Sequence, residues 1–248
     1  MFFSPCFGER AVHLYCMLLL QHLTDALLHF MFPHICVGCG SDILVKDSLL
    51  CLRCLDGLPQ TKFELYPGNP VEKRFYGRLP LQHATAQFYF TKGSLVSHLV
   101  HEVKYKRNKD LGIQLGRIIG DSIFRAGRFD ADLMIPLPLF EHRQRKRGYN
   151  QSMLLCEGMS ELLKIPVAEH SIVRPMHTAT QTDKGRMERW KNIEGKFELR
   201  DRELVAGKHI LLVDDVITTG ATLESCGIEI LKASNASLSI ACLCHAFR

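Results

Sequence analysis

The sequence predicts an α/β fold in which a mostly parallel sheet is flanked by helices and preceded by a small N-terminal metal-binding ribbon. Short apolar runs that predict strands alternate along the chain with longer segments of helical periodicity, as strand–helix–strand units do. The run from Ile210 to Val213 is apolar at every position, as expected for a strand buried on both faces. Two Cys-x-x-Cys pairs near the N-terminus predict the ribbon.

Length and composition indicate one globular domain of ordinary size plus a small one. The chain has 248 residues, of which 46% are hydrophobic and 23% charged, so it is not of the disordered class. Its formal net charge of +5 is compatible with a phosphate-rich partner but does not require one. Ten cysteines occur, and only four of them form a tight pattern, which argues against a secreted disulfide framework.

The first segment, residues 1–35, contains a predicted helix that Pro33 ends. Its apolar residues recur at helical spacing: Leu20, Leu23, Leu27 and Met31. The polar residues that interrupt this run argue against a membrane span, and no basic stretch or cleavage site of a secretory signal precedes it. We therefore expect a cytoplasmic protein. We also hypothesise that translation starts at Met17; mass spectrometry that detects peptides from residues 1–16 would exclude this.

Residues 36–62 form the predicted zinc ribbon. Four cysteines in two knuckles provide the tetrahedral thiolate set of a structural Zn²⁺ site: Cys36, Cys39, Cys51 and Cys54. The segment has too few large apolar residues to fold alone, so metal binding would stabilise it. The alternatives are a pair of redox-active dithiols, or cysteines that share no common partner. His34 and the Cys242-x-Cys244-His245 group are weaker candidates, and we interpret the latter as core residues of a C-terminal strand over Leu238 to Ala246.

The predicted main domain spans residues 84–248 and follows a linker over residues 63–83, which is punctuated by proline and glycine. It opens with a strand from Ala84 to Phe90. A helix with Leu95, Leu99 and Val103 on its apolar face follows and leads into a basic stretch, Lys104 to Lys109. This stretch either binds phosphate or is a solvated helix end. A second helix is predicted from about Leu111 to Arg125.

A second basic stretch follows the predicted strand over residues 132–139. Four cations crowd what the sequence predicts to be a loop: Arg143, Arg145, Lys146 and Arg147. Because ligands of open α/β sheets bind beyond the carboxyl ends of the strands, this loop is expected on the same rim as Asp214. The alternatives are a basic surface loop, or a site for pyrophosphate or a nucleic-acid backbone. After a helix over 153–163, the polar segment from Arg174 to Phe197, which includes Arg186, fits a mobile hood.

The most informative stretch is residues 209–222. The strand Ile210 to Val213 is followed by two carboxylates, Asp214 and Asp215, and then by a small turn that precedes a helix: Thr218, Thr219, Gly220, Ala221 and Thr222. A helix N-terminus with a flexible glycine and hydroxyl groups is suited to a phosphate. Carboxylates are suited instead to sugar hydroxyls or a hydrated Mg²⁺. Together they predict a phosphorylated-sugar site.

This stretch resembles the phosphoribosylpyrophosphate (PRPP) signature of type I phosphoribosyltransferases. The resemblance implies the type I phosphoribosyltransferase fold, with Asp214 and Asp215 on the ribose hydroxyls and residues 218–222 on the 5′-phosphate. It also implies Mg²⁺ bound together with PRPP. The stretch is similar as well to the first strand of receiver domains, but only 33 residues follow Asp215, too few for that fold.

The order of motifs along residues 17–248 resembles the ComF family of phosphoribosyltransferase-like proteins. These motifs are the cysteine knuckles, Lys104-Tyr105, Pro136-Leu-Pro138, Arg147-Gly-Tyr-Asn-Gln151, Thr178-x-x-Gln181, Asn192-x-x-Gly195-x-Phe197 and the PRPP signature. The resemblance implies a role in DNA uptake during natural transformation, acting on single-stranded DNA, with a competence helicase as a partner.

If the protein is an enzyme, we expect pentosyl transfer from Mg²⁺-bound PRPP, with loss of pyrophosphate from C1. Charge stabilisation and positioning would dominate such catalysis. Asp214, Asp215, Lys106 and Arg147 are the predicted catalytic residues, with Arg143 beside them and Arg186 on the hood. The alternatives are a non-catalytic PRPP sensor or DNA-binding accessory protein, and a nucleobase salvage enzyme. Neither the acceptor nor the oligomeric state follows from the sequence.

Overall fold

The computed structural model describes residues 34–45, 48–175 and 197–246 of the chain. The chain divides into two compact units, one up to Leu55 and one from Asp56 onward. The predicted N-terminal helix, the possible start at Met17 and most of the predicted hood lie outside the described residues. The two units are described separately below.

The second unit is built on a four-stranded sheet in which every pairing is parallel. The strands are β1 (Ala84–Phe90), β2 (Leu133–Pro136), β3 (Ile172–Val173), β4 (Glu198–Leu199), β5 (His209–Ile217) and β6 (Ser237–Ala246). The order in the main sheet is β1-β6-β5-β2, while β3 and β4 form a separate antiparallel pair. The α/β class and parallel sheet predicted from the sequence are therefore confirmed.

Helix α1 (Leu52–Asp56) ends at the boundary between the two units. The helices that connect and cover the strands of the second unit are α2 (Pro70–Lys73), α3 (Leu95–Tyr105), α4 (Lys109–Ala126), α5 (Glu141–Arg147), α6 (Gln151–Leu163), α7 (Arg202–Val205) and α8 (Ala221–Ile230), and a short 3-10 turn spans Phe63–Leu65. Side-chain caps fix several of their starts: Ser94 accepts a hydrogen bond from the Ser97 N–H, and Asn108 accepts one from Leu111. At the C-terminal end of α4, Gly127 adopts the left-handed conformation that ends many helices.

Helices α4 and α6 pack with their backbones in near contact, and glycine makes this possible. A Cβ atom added at Gly116 would lie 2.3 Å from the carbonyl oxygen of Leu155, and one at Gly158 would lie 2.0 Å from that of Ile113. Since real Cβ atoms do not approach so closely, each helix provides a glycine where the other crosses it. This contact fixes α6, whose first turn contributes to the site described below.

The core explains why the strands form where the sequence predicts them. Ile210 to Val213 of β5 are all fully buried, as expected for a central strand covered on both faces. The predicted bounds of β1 agree with the structure. In contrast, β5 continues through Asp214 and Asp215 to Ile217, because the β6 ladder extends that far and pairs Val216 with Cys244. The two carboxylates thus lie on the strand rather than after it.

Two other stretches differ from their predictions. Residues 63–83, predicted to be a linker, place Phe63, Val71, Phe75 and Leu79 in the core, so this stretch is part of the second unit. The basic loop after β2 is largely helical as α5, which a Glu141–Arg145 pair one turn apart stabilises and which a left-handed glycine ends. Proline and glycine residues in the first stretch, and a dense run of cations in the second, had indicated irregular structure.

No helix within the described residues combines the length and the apolar character that crossing a membrane would require. The apolar N-terminal run from Leu14 to Phe32, whose polar residues argue against a membrane span, lies outside those residues.

Candidate functional site

The two consecutive carboxylates of β5 lie near the carboxyl end of the sheet, between β6 and β2. The Asp215 Oδ2 atom is 2.7 Å from the Lys104 Nζ atom at the end of α3. Both side chains are mostly buried, with 17% and 19% of their surfaces exposed. An ion pair shielded in this way is less screened by solvent than one on the surface, so it defines the local charge of the site.

Asp214 is held by a different set of partners. Its Oδ1 atom accepts hydrogen bonds from the Asp215 backbone N–H at 2.8 Å and from the Ser152 hydroxyl at 3.3 Å. Burial and the neighbouring Asp215 carboxylate raise the pKa of Asp214 to about 7, although Lys104 and the two hydrogen bonds act in the opposite direction. Near neutral pH, Asp214 is therefore close to its pKa and exists in both its protonated and its ionised form.

Ser152 is a site residue that the sequence analysis did not single out. It lies in the first turn of α6, and the side chain of Asn150 caps that turn by accepting from the Ser152 N–H at 3.1 Å. The Asn150 Nδ2 group also donates to the Leu137 carbonyl at 3.0 Å, just beyond β2. The Arg147-Gly-Tyr-Asn-Gln151 motif could have indicated this residue. Asparagine is a common N-cap residue, and the residues that directly follow an N-cap, here Gln151 and Ser152, form the first turn of the helix.

The turn after β5 has the conformation that an anion cradle requires. Gly220 has a φ of +79°, and a Cβ atom there would lie 3.0 Å from the Phe75 ring, so backbone conformation and close packing both favour glycine. Helix α8 begins at the next residue, and its N-cap residue, Gly220, provides no side-chain cap for the first N–H groups. Thr218 and Thr219 are exposed, and the Thr219 hydroxyl accepts from the Ala221 N–H at 3.4 Å.

A cavity of about 480 Å³ adjoins the acidic pair through Lys104. Helix α5 and the end of α3 line it with mostly cationic side chains: Lys104, Tyr105, Arg107, His142, Arg143, Lys146 and Arg147. The last turn of α3 is fixed by Tyr149, whose hydroxyl donates to the Val103 carbonyl. The Arg147 guanidinium lies over the Tyr105 ring at 5.5 Å. The cavity is suited to an anion larger than a single phosphate.

The structure brings some of the predicted cations to this cavity and leaves others elsewhere. Arg143, Lys146 and Arg147 line it, whereas Arg145 pairs with Glu141 on the exposed side of α5. Lys106, predicted to act on the leaving group, is exposed at the C-cap of α3 and does not line the cavity. Lys104 makes the contact with the carboxylates instead. Arg186 lies outside the described residues.

The four cysteines of the first unit form one cluster. Their sulfur atoms all lie within 4.8 Å of one another, and Cys39 and Cys51 approach to 3.6 Å. A tetrahedral zinc site with bonds of about 2.3 Å separates its sulfurs by roughly 3.8 Å, so the cluster is compatible with that metal. None of the four is in a disulfide. The prediction that these residues form a group that could hold a metal ion is confirmed.

Hydrogen bonds prepare one of these thiols to carry a charge. Burial raises the pKa of Cys36, but backbone N–H groups of Cys51, Cys39 and Gly38 outweigh it and lower that pKa to about 6. The Cys51 N–H donates to the Cys36 sulfur at 3.2 Å. Burial and the neighbouring thiols raise the pKa of Cys54, since a second thiolate beside the first is unfavourable without a cation.

The Cys242-x-Cys244-His245 group lies in the core of the second unit. All three residues are buried in β6, and the Arg74 guanidinium donates to the His245 Nε2 atom at 3.1 Å. Burial raises the pKa of both thiols well above the ordinary value. Within the part of the chain that the structure describes, this group and His34 are not part of a metal-binding cluster.

Comparisons with known proteins extend these observations. A family model described as a phosphoribosyl transferase domain matches residues 150–247. The DNA utilization protein YhgH of Escherichia coli O157:H7 is 33% identical over 205 residues, which cover 80% of this chain and 85% of that protein. Competence protein F of Haemophilus influenzae is 26% identical over 201 residues, 76% of this chain and 87% of that protein. Competence protein ComFC of Bacillus subtilis is 32% identical over 108 residues, 42% of each chain.

Proposed function

We propose a function from the premise that this chain belongs to the family of the DNA utilization protein YhgH and competence protein F, and carries a phosphoribosyl transferase domain. In our proposal the domain binds PRPP together with Mg²⁺ at the carboxyl edge of the sheet. The Asp214 and Asp215 carboxylates accept hydrogen bonds from the ribose hydroxyls. Residues Thr218 to Thr222 bind the 5′-phosphate.

The observation that carries this proposal is the sequence of groups along β5 and α8. Two carboxylates are followed within five residues by a left-handed Gly220 and by the N-terminus of a helix. Carboxylates repel phosphate, whereas helix N-termini attract it, so a ligand that satisfies both has hydroxyls and a phosphate a few ångströms apart. A phosphorylated sugar has this arrangement.

The basic cavity supports a place for the second, larger anion of PRPP. Its pyrophosphate carries charge that Arg143 and Arg147 are able to bind through paired N–H groups. Catalysis at this site would be substitution at C1 of the ribose. The cations of α5 would stabilise the charge that develops on the departing pyrophosphate, and the carboxylates would orient the sugar. Mg²⁺ would neutralise part of the pyrophosphate charge.

Calorimetric titration of PRPP in the presence of Mg²⁺ tests this site. The wild type should bind saturably, and the Asp214→Ala/Asp215→Ala double variant should lose binding by at least a hundredfold. Asp130→Ala is the matched control, because this exposed aspartate lies before β2, at the amino ends of the strands and therefore away from the acidic pair. Equal affinity in the double variant and the control would refute the assignment.

We further propose that the protein acts in the use or uptake of DNA, as the names of its relatives indicate, and does so in the cytoplasm. Eight described cysteines are free thiols, as expected in a reducing compartment. The basic cavity supports a second candidate function, contact with the phosphates of single-stranded DNA, with a helicase of the uptake machinery as a further partner. Among the described residues, Tyr105, Tyr149 and Phe140 have rings beside these cations, and phosphate contacts would still dominate.

Salt dependence separates this second function from the first. Affinity for an oligothymidylate should fall steeply between 50 and 200 mM salt, and Arg143→Ala/Lys146→Ala should flatten the slope by about 1.4. Arg125→Ala is a suitable control, since Arg125 pairs with Asp121 on α4 away from the cavity. DNA affinity that does not respond to salt, or to the double substitution, would exclude the cavity as the contact.

We also propose that the four-cysteine cluster holds one structural Zn²⁺. All four ligands would be protein thiolates, which leaves no open position for catalysis. The metal would compensate the charge that Cys36 favours and Cys54 resists, and would stabilise the local structure around the four thiols.

A further inference from the structure

We infer that Lys104 couples the two halves of the site, so that an anion in the basic cavity frees Asp215 to bind sugar hydroxyls. This inference rests on the proposed function, because it assumes that the acidic pair binds a sugar. The structure assigns Lys104 to both places at once: it lines the cavity, and its Nζ atom lies 2.7 Å from the Asp215 Oδ2 atom. No other residue described as lining that cavity is in an ion pair with the acidic residues of β5.

The side chain of Lys104 is able to move while its backbone is held in place. The last turn of α3 is fixed by the hydrogen bond from the Tyr149 hydroxyl to the Val103 carbonyl. The lysine therefore enters the site from a fixed point on a stem of four carbons with rotatable bonds. A change of rotamer transfers its ammonium group from the carboxylate toward the cavity without a rearrangement of the helix.

In the arrangement that the structure shows, Lys104 competes with a ligand for Asp215. A carboxylate oxygen that accepts from an ammonium group at 2.7 Å has less capacity to accept from a hydroxyl. Replacing Lys104 by a sugar hydroxyl on Asp215 is costly by itself, because breaking a partly buried ion pair leaves both the ammonium group and the carboxylate desolvated and without a partner of opposite charge. A ligand with hydroxyls alone must supply that free energy from its own contacts.

An anion in the cavity changes this balance. It provides Lys104 with a second partner, so the ammonium group leaves Asp215 without losing its charge compensation. The sugar hydroxyls then replace it on the carboxylate. By thermodynamic linkage the effect is reciprocal: a sugar on the acidic pair releases Lys104 and strengthens anion binding in the cavity. The site thereby favours ligands that carry both groups over fragments that carry one.

The two fragments of the proposed ligand test this coupling directly. Ribose 5-phosphate is titrated into the protein by calorimetry at constant Mg²⁺, with and without saturating inorganic pyrophosphate. In the wild type, pyrophosphate should tighten ribose 5-phosphate binding on the order of tenfold. In Lys104→Met, ribose 5-phosphate should bind more tightly without pyrophosphate, and pyrophosphate should leave its affinity unchanged.

Two further variants keep the experiment decisive. Lys104→Arg preserves the cation and should preserve the coupling, which excludes misfolding at this position as the cause of its loss. Lys232→Met removes a lysine that pairs with Glu229 at 2.5 Å near the far end of α8, and should behave as the wild type. This control matches the loss of charge and of an ion pair.

The outcomes separate this inference from the function on which it rests. Ribose 5-phosphate binding that pyrophosphate does not alter in the wild type overturns the coupling and leaves the sugar site in place. Coupling that persists in Lys104→Met overturns the role of Lys104. Failure of ribose 5-phosphate and PRPP to bind at all overturns the proposed function and, with it, the coupling.

Discussion

The cysteine cluster and the acidic pair both gather groups that repel one another when ionised, but they are held together by different means. In the cluster, four thiols converge to within 4.8 Å of one another. In the acidic pair, two carboxylates lie on a central strand of a fully formed sheet, and Lys104 compensates part of their charge. In our proposal the first arrangement depends on a cation from solution, whereas the second contains its own.

This difference indicates how each region responds to loss of its ligand. If the cluster holds zinc as we propose, local structure and metal binding are one equilibrium there. The acidic pair is retained by the fold without any ligand, although burial and the neighbouring Asp215 disfavour the ionised form of Asp214. The following predictions test that contrast, from the largest expected effect to the smallest.

The largest effect is expected at the cluster. Cys54→Ser should reduce the zinc content from one ion per chain to almost none, and residues 34–55 should become sensitive to proteolysis. The reason is that structural zinc contributes roughly 10–16 kcal/mol to such units, far more than their cores do. Inductively coupled plasma mass spectrometry measures the metal content, and limited proteolysis measures whether residues 34–55 are folded.

Cys156→Ala is the control for this prediction, because Cys156 is a buried thiol of α6 outside the cluster. It should keep its zinc. A Cys54→Ser protein with a full complement of zinc would show that the cluster is not the metal site, and the contrast between the two regions would fail.

A smaller but still large effect is expected where the fold itself holds the acidic pair. Gly158→Ala forces a Cβ atom to within 2.0 Å of the Ile113 carbonyl oxygen, so α6 must separate from α4. We expect a loss of about 3 kcal/mol in the free energy of unfolding, despite the better helix propensity of alanine. Denaturant titration measures it. Gly120→Ala, where the closest contact is 3.1 Å, should cost clearly less, and equal costs would refute the packing argument.

The acidic pair should lower the free energy of unfolding at pH 7 and above relative to its value near pH 4. Because the pKa of Asp214 is raised to about 7, the folded protein retains a proton that the unfolded chain loses near pH 4. Stability from this group therefore falls as the pH rises from about 4 to about 7 and is constant above. Asp214→Asn should therefore stabilise the protein at pH 8 and leave its free energy of unfolding almost unchanged at pH 4.

Thermal unfolding at the two pH values measures this difference. The charged and titratable groups around Asp214 are Asp215, Lys104 and the thiols of Cys226 and Cys242, and all of them are kept in the variant. A destabilised Asp214→Asn at pH 8 would mean that the carboxylate strengthens the fold, contrary to the contrast drawn above.

The smallest effect is expected at Ser152. Its hydroxyl donates to Asp214 and so lowers the pKa of that carboxyl. Ser152→Ala should raise this pKa further, weaken PRPP binding severalfold at pH 7, and leave it nearly unchanged at pH 8.5, where Asp214 is ionised in both proteins. Titrations at the two pH values measure this shift. A loss of affinity that is the same at both would indicate a direct contact with the ligand instead.

Much of the fold and part of the site could be predicted from the sequence, for identifiable reasons. The apolar run of β5 and the Asp-Asp pair that follows this run report local requirements: burial on both faces, and then polar groups in the part of the strand near the carboxyl end of the sheet. The Cys-x-x-Cys pairs report metal geometry in the same local way. Each of these features is encoded within a few consecutive residues, so periodicity and spacing reveal it.

What the sequence did not indicate depends on contacts between distant elements. Lys104 and Lys106 are equally basic neighbours, and only the orientation of α3 decides which one reaches Asp215. Ser152 contacts a carboxylate 62 positions away because α6 packs against the sheet. Residues 63–83 resemble a linker by composition, yet Phe75 completes the core beside Gly220. Such choices are made by tertiary packing rather than by local propensity.

The order of strands in the sheet has a consequence for the synthesis of this chain on the ribosome. β1 is finished early, but its strand partner in the sheet is β6, about 150 residues later, which places Ala84 beside Ile240. At roughly 5–20 residues per second, the nascent β1 waits on the order of ten to thirty seconds for that partner. During this time its apolar side chains are a target for chaperones, and ribosome stalling before β6 would expose them longer.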